Sequence, residues 1–150
     1  MKETFTLRHE DLETLAKKVV DILSSCPSSQ AKVILLEGDL GAGKTTFTKV
    51  LASELGINSD VVQSPTFILK KSYDAKHSFF KKLIHVDAYR FTHPHESKVL
   101  RLTDDLEDSQ NIVVVEWPSR MHFLKADIEI IFKVIDDDTR EAELIYEETV

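Results

Sequence analysis

Gly38-Asp39-Leu40-Gly41-Ala42-Gly43-Lys44-Thr45 is a P-loop of the form GxxxxGK[ST], separated from the apolar run Val33-Ile34-Leu35-Leu36 only by Glu37. Three of the four glycines in the chain fall in this stretch, so its backbone freedom is concentrated where a chain must wrap an anion. A buried strand delivers the chain to the turn, the glycines let successive N–H groups point inward, and a helix starting near Lys44 adds its positive end to the same nest. The residues expected to cradle phosphates are Asp39, Leu40, Gly41, Ala42, Gly43, Lys44, Thr45 and Thr46. Lys44 is expected to reach the β- and γ-phosphates. The Thr45 hydroxyl is expected to ligate a bridging Mg²⁺, because magnesium takes hard oxygen ligands and few of them from protein.

Working outward, the strand is predicted over 32–37 and the helix over 44–55, stopped by Gly56, a residue suited to a left-handed cap. An earlier helix is predicted over 9–24, with Glu10 and Asp11 in its first turn and Leu12, Leu15, Ala16, Val19, Ile22 and Leu23 on one side. Segments 66–73 and 80–89 read as a hairpin around the polar turn Asp74-Ala75-Lys76-His77-Ser78. The run 111–116 is uniformly apolar until its last residue, as expected of a strand buried on both faces. Segments 127–135 and 140–147 read as a second hairpin. Together these predict an α/β, P-loop NTPase-like three-layer fold in one domain over 1–150, with a mixed parallel and antiparallel sheet flanked by helices.

A P-loop needs a further acidic group to hold or orient the metal. Ile112-Val113-Val114-Val115-Glu116 has the form of a Walker B element, a hydrophobic strand ending in an acid, which makes Glu116 a candidate Mg²⁺ or water-positioning group. An acid closing the strand in solvent is the plain alternative. Asp87 is the rival, in Leu83-Ile84-His85-Val86-Asp87-Ala88-Tyr89-Arg90, where alternation puts His85, Asp87 and Tyr89 on one strand face. That face is either part of a site or a solvated hairpin surface. Ser64-Pro65-Thr66-Phe67 lies after the P-loop helix, where many P-loop proteins carry a switch segment whose hydroxyl senses the γ-phosphate.

Composition limits the partners. The 150 residues carry a formal net charge of −7, which argues against the chain gripping nucleic acid by itself. The single Cys26 excludes an internal disulfide framework and a thiolate metal cluster, and a reducing cytoplasm is the expected location. The first residues lack a signal-type apolar core, and no apolar segment approaches bilayer length, so no membrane association is expected. One local exception to the acidic balance is the first hairpin, with Lys70, Lys71, Lys76, His77, Lys81 and Lys82. It is either a solvated face that protects a sheet edge or a docking surface.

Four elements in order, the P-loop extended to Thr46, then Ser64-Pro65-Thr66-Phe67, His85-Val86-Asp87-Ala88-Tyr89-Arg90 and Val115-Glu116-Trp117-Pro118, resemble the TsaE family, formerly YjeE. The resemblance spans about residues 9 to 145. It implies a Mg²⁺-dependent bacterial ATPase required for threonylcarbamoyladenosine formation in tRNAs that read codons starting with A. It also implies TsaD and TsaB as partners, with tRNA reached through that complex. By the same resemblance Thr45 and Glu116 are magnesium-site residues, Asp87 a second essential acid, Thr66 the switch hydroxyl, and Arg140 a neighbour of the nucleotide. The sequence departs from the family at Leu12, where a threonine three residues before a Leu-Gly or Leu-Ala pair is common. Any hydroxyl contact to the nucleotide from there is lost.

Two other classes share a P-loop. A small-molecule kinase usually clamps phosphates with several lid arginines, whereas Arg8, Arg90, Arg101, Arg120 and Arg140 are dispersed. A nucleotide-dependent binding switch of the GTPase type needs an Asn-Lys-x-Asp base-reading segment, which the sequence lacks. ATP is therefore the expected nucleotide.

Overall fold

The computed structural model describes residues 1–26, 28–39, 42–62, 70–88, 101–116 and 124–147. A seven-stranded sheet runs through the molecule in the order β1 (Lys2–Leu7), β7 (Arg140–Tyr146), β6 (Ile128–Val134), β2 (Lys32–Glu37), β5 (Asn111–Glu116), β4 (Lys82–Asp87), β3 (Lys70–Asp74). Strands β6, β2, β5 and β4 are mutually parallel, while the outer pairs β1–β7, β7–β6 and β4–β3 are antiparallel. The predicted mixed sheet is thus present, with the strand before the P-loop at its centre.

Helices cover both faces. Helix α1 (Leu12–Ser24) buries Leu12, Leu15, Ala16, Val19, Val20 and Leu23, the stripe expected of one helical face. Helix α2 (Lys44–Glu54) lies beside α1 and buries Phe47 and Leu51, with Phe47 tilted against Phe132 of β6 at 5.8 Å between ring centroids. Both helices share one core with Ile34, Leu36, Ile112, Val114 and Ile130. The opposite sheet face, carrying Val33, Leu35, Ile84, Val113 and Val115, is covered by Leu102 and Leu106 of a short helix α3 (Leu102–Leu106). Inner strands covered on both sides must be apolar at successive positions, which is why β2 and β5 read as unbroken hydrophobic runs.

Several boundaries differ from the sequence reading. The first helix opens with a 3₁₀ turn, His9–Asp11, where the Asp11 carboxylate accepts from the Arg8 backbone N–H at 2.9 Å, and is α-helical only from Leu12. The first hairpin is confirmed: β3 is described from Lys70, residues 63–69 lying outside the described set, and β4 spans Lys82–Asp87, starting two residues later than the sequence reading. Asp74 belongs to β3, and the turn closes through Ala75 N–H donating to Lys81 O at 2.8 Å. Among the described residues three elements were not foreseen: β1, α3 and a 3₁₀ turn at Ser59–Val61.

The lysine-rich hairpin is partly neutralised by acids of the α3 region. Lys70 pairs with Asp105 at 2.7 Å and Lys81 with Asp108 at 2.6 Å. The hairpin is also tied to the P-loop helix, since Lys76 N–H donates to Leu55 O at 2.8 Å.

Candidate nucleotide and metal site

Parallel neighbours end on the same edge of a sheet, so β2, β5 and β4 deliver the P-loop, Glu116 and Asp87 to one crevice. The turn out of β2 begins at Gly38, whose φ of 147° suits glycine, and a Cβ there would stand 2.7 Å from the Phe132 carbonyl oxygen. The loop therefore lies too close to β6 for any side chain at this position. Ala42 N–H donates to Asp39 O at 3.0 Å. Gly43, at φ 111°, is the residue from which α2 starts. Leu40 and Gly41 lie outside the described residues.

Lys44 is only 6% exposed, and its ammonium donates to the Gly38 carbonyl, with the Asp39 carbonyl at 3.5 Å. Burial pulls its pKa below the ordinary 10.5, against the opposing pull of Glu116, Asp87, Asp39 and Glu37. A cation held in poorly solvated surroundings beside its own loop carbonyls suits an anionic ligand.

Thr45 Oγ1 donates to Glu116 Oε1 at 3.1 Å. Glu116 is 3% exposed, so it does not close its strand in solvent, and its Oε2 lies 3.2 Å from His85 Nε2. Asp87 is half-buried and stands directly opposite Glu116 in the β4–β5 register. The notion of a solvated face for this strand fails at His85, which has no exposed surface. Hard oxygens from one hydroxyl and two carboxylates beside the P-loop could hold Mg²⁺, an ion usually bound by one or two carboxylates together with substrate phosphates. Among the described residues no group of three or more His, Cys, Asp or Glu forms a metal centre of its own.

A cavity of about 280 Å³ adjoins the P-loop, lined by Ala42, Gly43 and Thr46 on one side and by Leu7, Leu12, Phe132 and Arg140 among others on the remaining sides. Arg140 is thus brought next to the loop, where its guanidinium donates to the Asp136 carbonyl at 2.6 Å and the Thr139 carbonyl at 3.2 Å. Leu12 presents a buried apolar side chain here. Thr66, with Ser64, Pro65 and Phe67, and also Tyr89, Arg90 and Trp117 lie outside the described residues. The sequence reading did not include His85 as a partner of Glu116. The alternation placed it on the face of Asp87, but only the β4–β5 register shows that it reaches the neighbouring acid.

A P-loop on the central strand of a mixed sheet, with buried acid on the adjoining parallel strand, defines an α/β protein of the P-loop nucleotide-binding class. The sequence model of the family described as threonylcarbamoyl adenosine biosynthesis protein TsaE matches residues 6–142, and the chain belongs to that family. It is 33% identical over 145 residues to the tRNA threonylcarbamoyladenosine biosynthesis protein TsaE of Aquifex aeolicus, covering 96% of each chain. It is 37% identical to the protein of that name from Bacillus subtilis, over 91% of this chain and 80% of that one. The crystal structure of Bacillus subtilis YdiB superposes with a TM-score of 0.60 at 28% identity, covering 96% of this chain and 86% of that one. No helix among the described residues is long and apolar enough to cross a membrane.

Proposed function

We propose that the chain is one P-loop domain that hydrolyses ATP with Mg²⁺ in support of threonylcarbamoyladenosine formation on tRNA, acting in the cytoplasm with TsaD and TsaB. The carrying observation is the Thr45–Glu116 contact beside the buried Lys44, with Asp87 opposite. The shared name of its relatives supports the pathway. In this reading the loop amides and Lys44 bind the phosphates, Thr45 and Glu116 hold the metal, and Asp87 adds charge to orient it or the attacking water. Bound Mg²⁺ supplies the positive charge that phosphoryl transfer demands. The cavity walled by Leu7, Leu12 and Phe132 offers an apolar face for the nucleotide base, and Arg140 a cation at its rim.

The free chain is expected to turn over slowly. Lys44 is the cation placed in the phosphate loop, and an ordered switch or a further positive charge supplied by a partner can add orders of magnitude to such a reaction. The test is steady-state ATP hydrolysis by the chain alone and with TsaD and TsaB together, with Thr66→Ala expected to blunt the response. Fast turnover alone, or no stimulation by the pair, argues against a partner-completed site. A thermal-shift series with ATP, GTP and phosphate acceptors separates an ATPase from a kinase or a guanine-nucleotide switch, since binding stabilises with the logarithm of ligand concentration over Kd.

The first hairpin is the proposed contact with partners or tRNA. Its exposed turn carries Phe79, 60% exposed, and Lys76, and Lys82 opens β4 exposed, while Lys81 is engaged by Asp108. Lys76→Glu with Lys82→Glu is expected to weaken assembly at low salt and less so at high salt, with ATP affinity unchanged, because fields at a surface decay over a Debye length of ~8 Å at physiological ionic strength. Equal assembly at all salt concentrations would reject this surface.

A further inference from the structure

His85 is an imidazole with no exposed surface beside a core cluster of apolar side chains that includes Leu83, Ile112 and Val114. Burying such a ring is unfavourable unless its polar atoms are used. Its Nε2 lies 3.2 Å from Glu116 Oε2, while Nδ1 has no hydrogen-bond partner among the described residues. The ring is set there by the sheet: His85 pairs with Val114 and Asp87 with Glu116 in the parallel register, so His85 lies one pleat back from Asp87 and diagonal to Glu116. As the carboxylate that a metal site calls for, Glu116 only accepts, and in that reading the bond takes a hydrogen on Nε2. Glu116 is then gripped at both oxygens, Oε1 by the Thr45 hydroxyl and Oε2 by His85.

The two grips differ in kind. Thr45 is also the hydroxyl proposed for the metal, so it is shared between Glu116 and the ligand. His85 contacts no part of the phosphate loop by hydrogen bond or ion pair among the described residues, and its bond serves the carboxylate alone. We propose that His85 is a positioning residue that fixes the orientation of Glu116 for Mg²⁺. This rests on the reading of Glu116 as a metal-site acid. Such partners of metal ligands hold the ligand's rotamer and tune its affinity for the ion.

The experiment has two arms. In the first, His85→Leu is expected to raise the Mg²⁺ concentration for half-maximal ATP hydrolysis by about 10- to 100-fold. Nucleotide affinity in EDTA, measured by calorimetry, should stay at the native value. His85→Gln, whose amide nitrogen reaches roughly the place of Nε2, should recover most of the loss. An unchanged Mg²⁺ requirement in a folded His85→Leu protein, an equal loss of affinity without metal, or a glutamine variant no better than leucine overturns the proposal.

The second arm needs neither metal nor turnover. Isotope-labelled histidine NMR on the native chain should find the His85 hydrogen on Nε2, with its resonance shifted in Glu116→Gln. A hydrogen on Nδ1, or a resonance insensitive to residue 116, overturns the proposal even if His85→Leu does not fold. If the native chain neither binds nor hydrolyses Mg-ATP, the ATPase reading falls by itself, while the NMR arm still decides whether His85 holds Glu116.

Discussion

Lys44→Ala is expected to abolish productive ATP binding while leaving the fold as stable as before or slightly more so. The loss follows from removing a cation from a poorly solvated phosphate cradle, where truncating one partner of a buried charge pair costs about 2–5 kcal/mol, roughly 30- to 5,000-fold in affinity. The stability argument runs through the same burial. Burial holds the Lys44 pKa below 10.5, so the charged form is less favourable in the folded chain than in the unfolded one. Between the lowered value and 10.5 the unfolded state binds more protons. Native stability contributed by this group therefore rises with pH across that window, and the rise should be missing from the alanine variant. At neutral pH the variant sheds a desolvated charge, with the Gly38 and Asp39 carbonyls left to water. Calorimetric ATP affinity and urea unfolding of both proteins at neutral and alkaline pH check the prediction. Unchanged ATP affinity and hydrolysis would remove the P-loop from the proposed mechanism.

What could be read in the sequence was what is local in the chain. The phosphate loop is contiguous, its glycines and Lys44 are fixed by spacing, the strand before it announces itself as an apolar run, and the helix after it is bounded by Lys44 and Gly56. Glu116 was legible because a hydrophobic strand ended in a single acid. What depended on strand neighbours was not legible. Nothing in the order of residues says that β4 lies against β5 in the register that sets Asp87 opposite Glu116 and brings His85 diagonally to it. The cavity beside the loop draws Leu7, Leu12, Phe132 and Arg140 from distant segments, and it takes the placement of β1, α1 and the β6–β7 hairpin together to assemble it. Strand β1 did carry a signal, with Phe5 and Leu7 alternating with Thr4 and Thr6, but six residues at a chain end are easily passed over. Helix α3, at five residues, is too short to show a period at all; it forms because Leu102 and Leu106 cover the far sheet face.

The second large effect is expected at the acids, and Glu116→Gln is the informative variant. Alanine at 116 would leave the His85 Nε2 buried without its partner, costing about 1–3 kcal/mol of stability and mixing folding with function. Glutamine keeps the volume, can still bond His85 and Thr45, and removes only the charge that a metal would require. Magnesium-dependent hydrolysis should then fall by several kcal/mol of transition-state stabilisation, on the order of 10²- to 10³-fold, with the melting temperature close to native. Asp87→Asn should fall in the same direction. Its loss should be the smaller, because Asp87 is half-buried and stands across from Glu116, whereas Glu116 itself contacts the Thr45 hydroxyl. Nucleotide affinity without metal should change little in either variant, since Lys44 and the loop amides remain. The deciding measurement is the rate against Mg²⁺ concentration for native, Glu116→Gln and Asp87→Asn proteins. Native rates in both variants would place the metal site elsewhere, and a larger defect in Asp87→Asn would transfer the principal ligand role from β5 to β4.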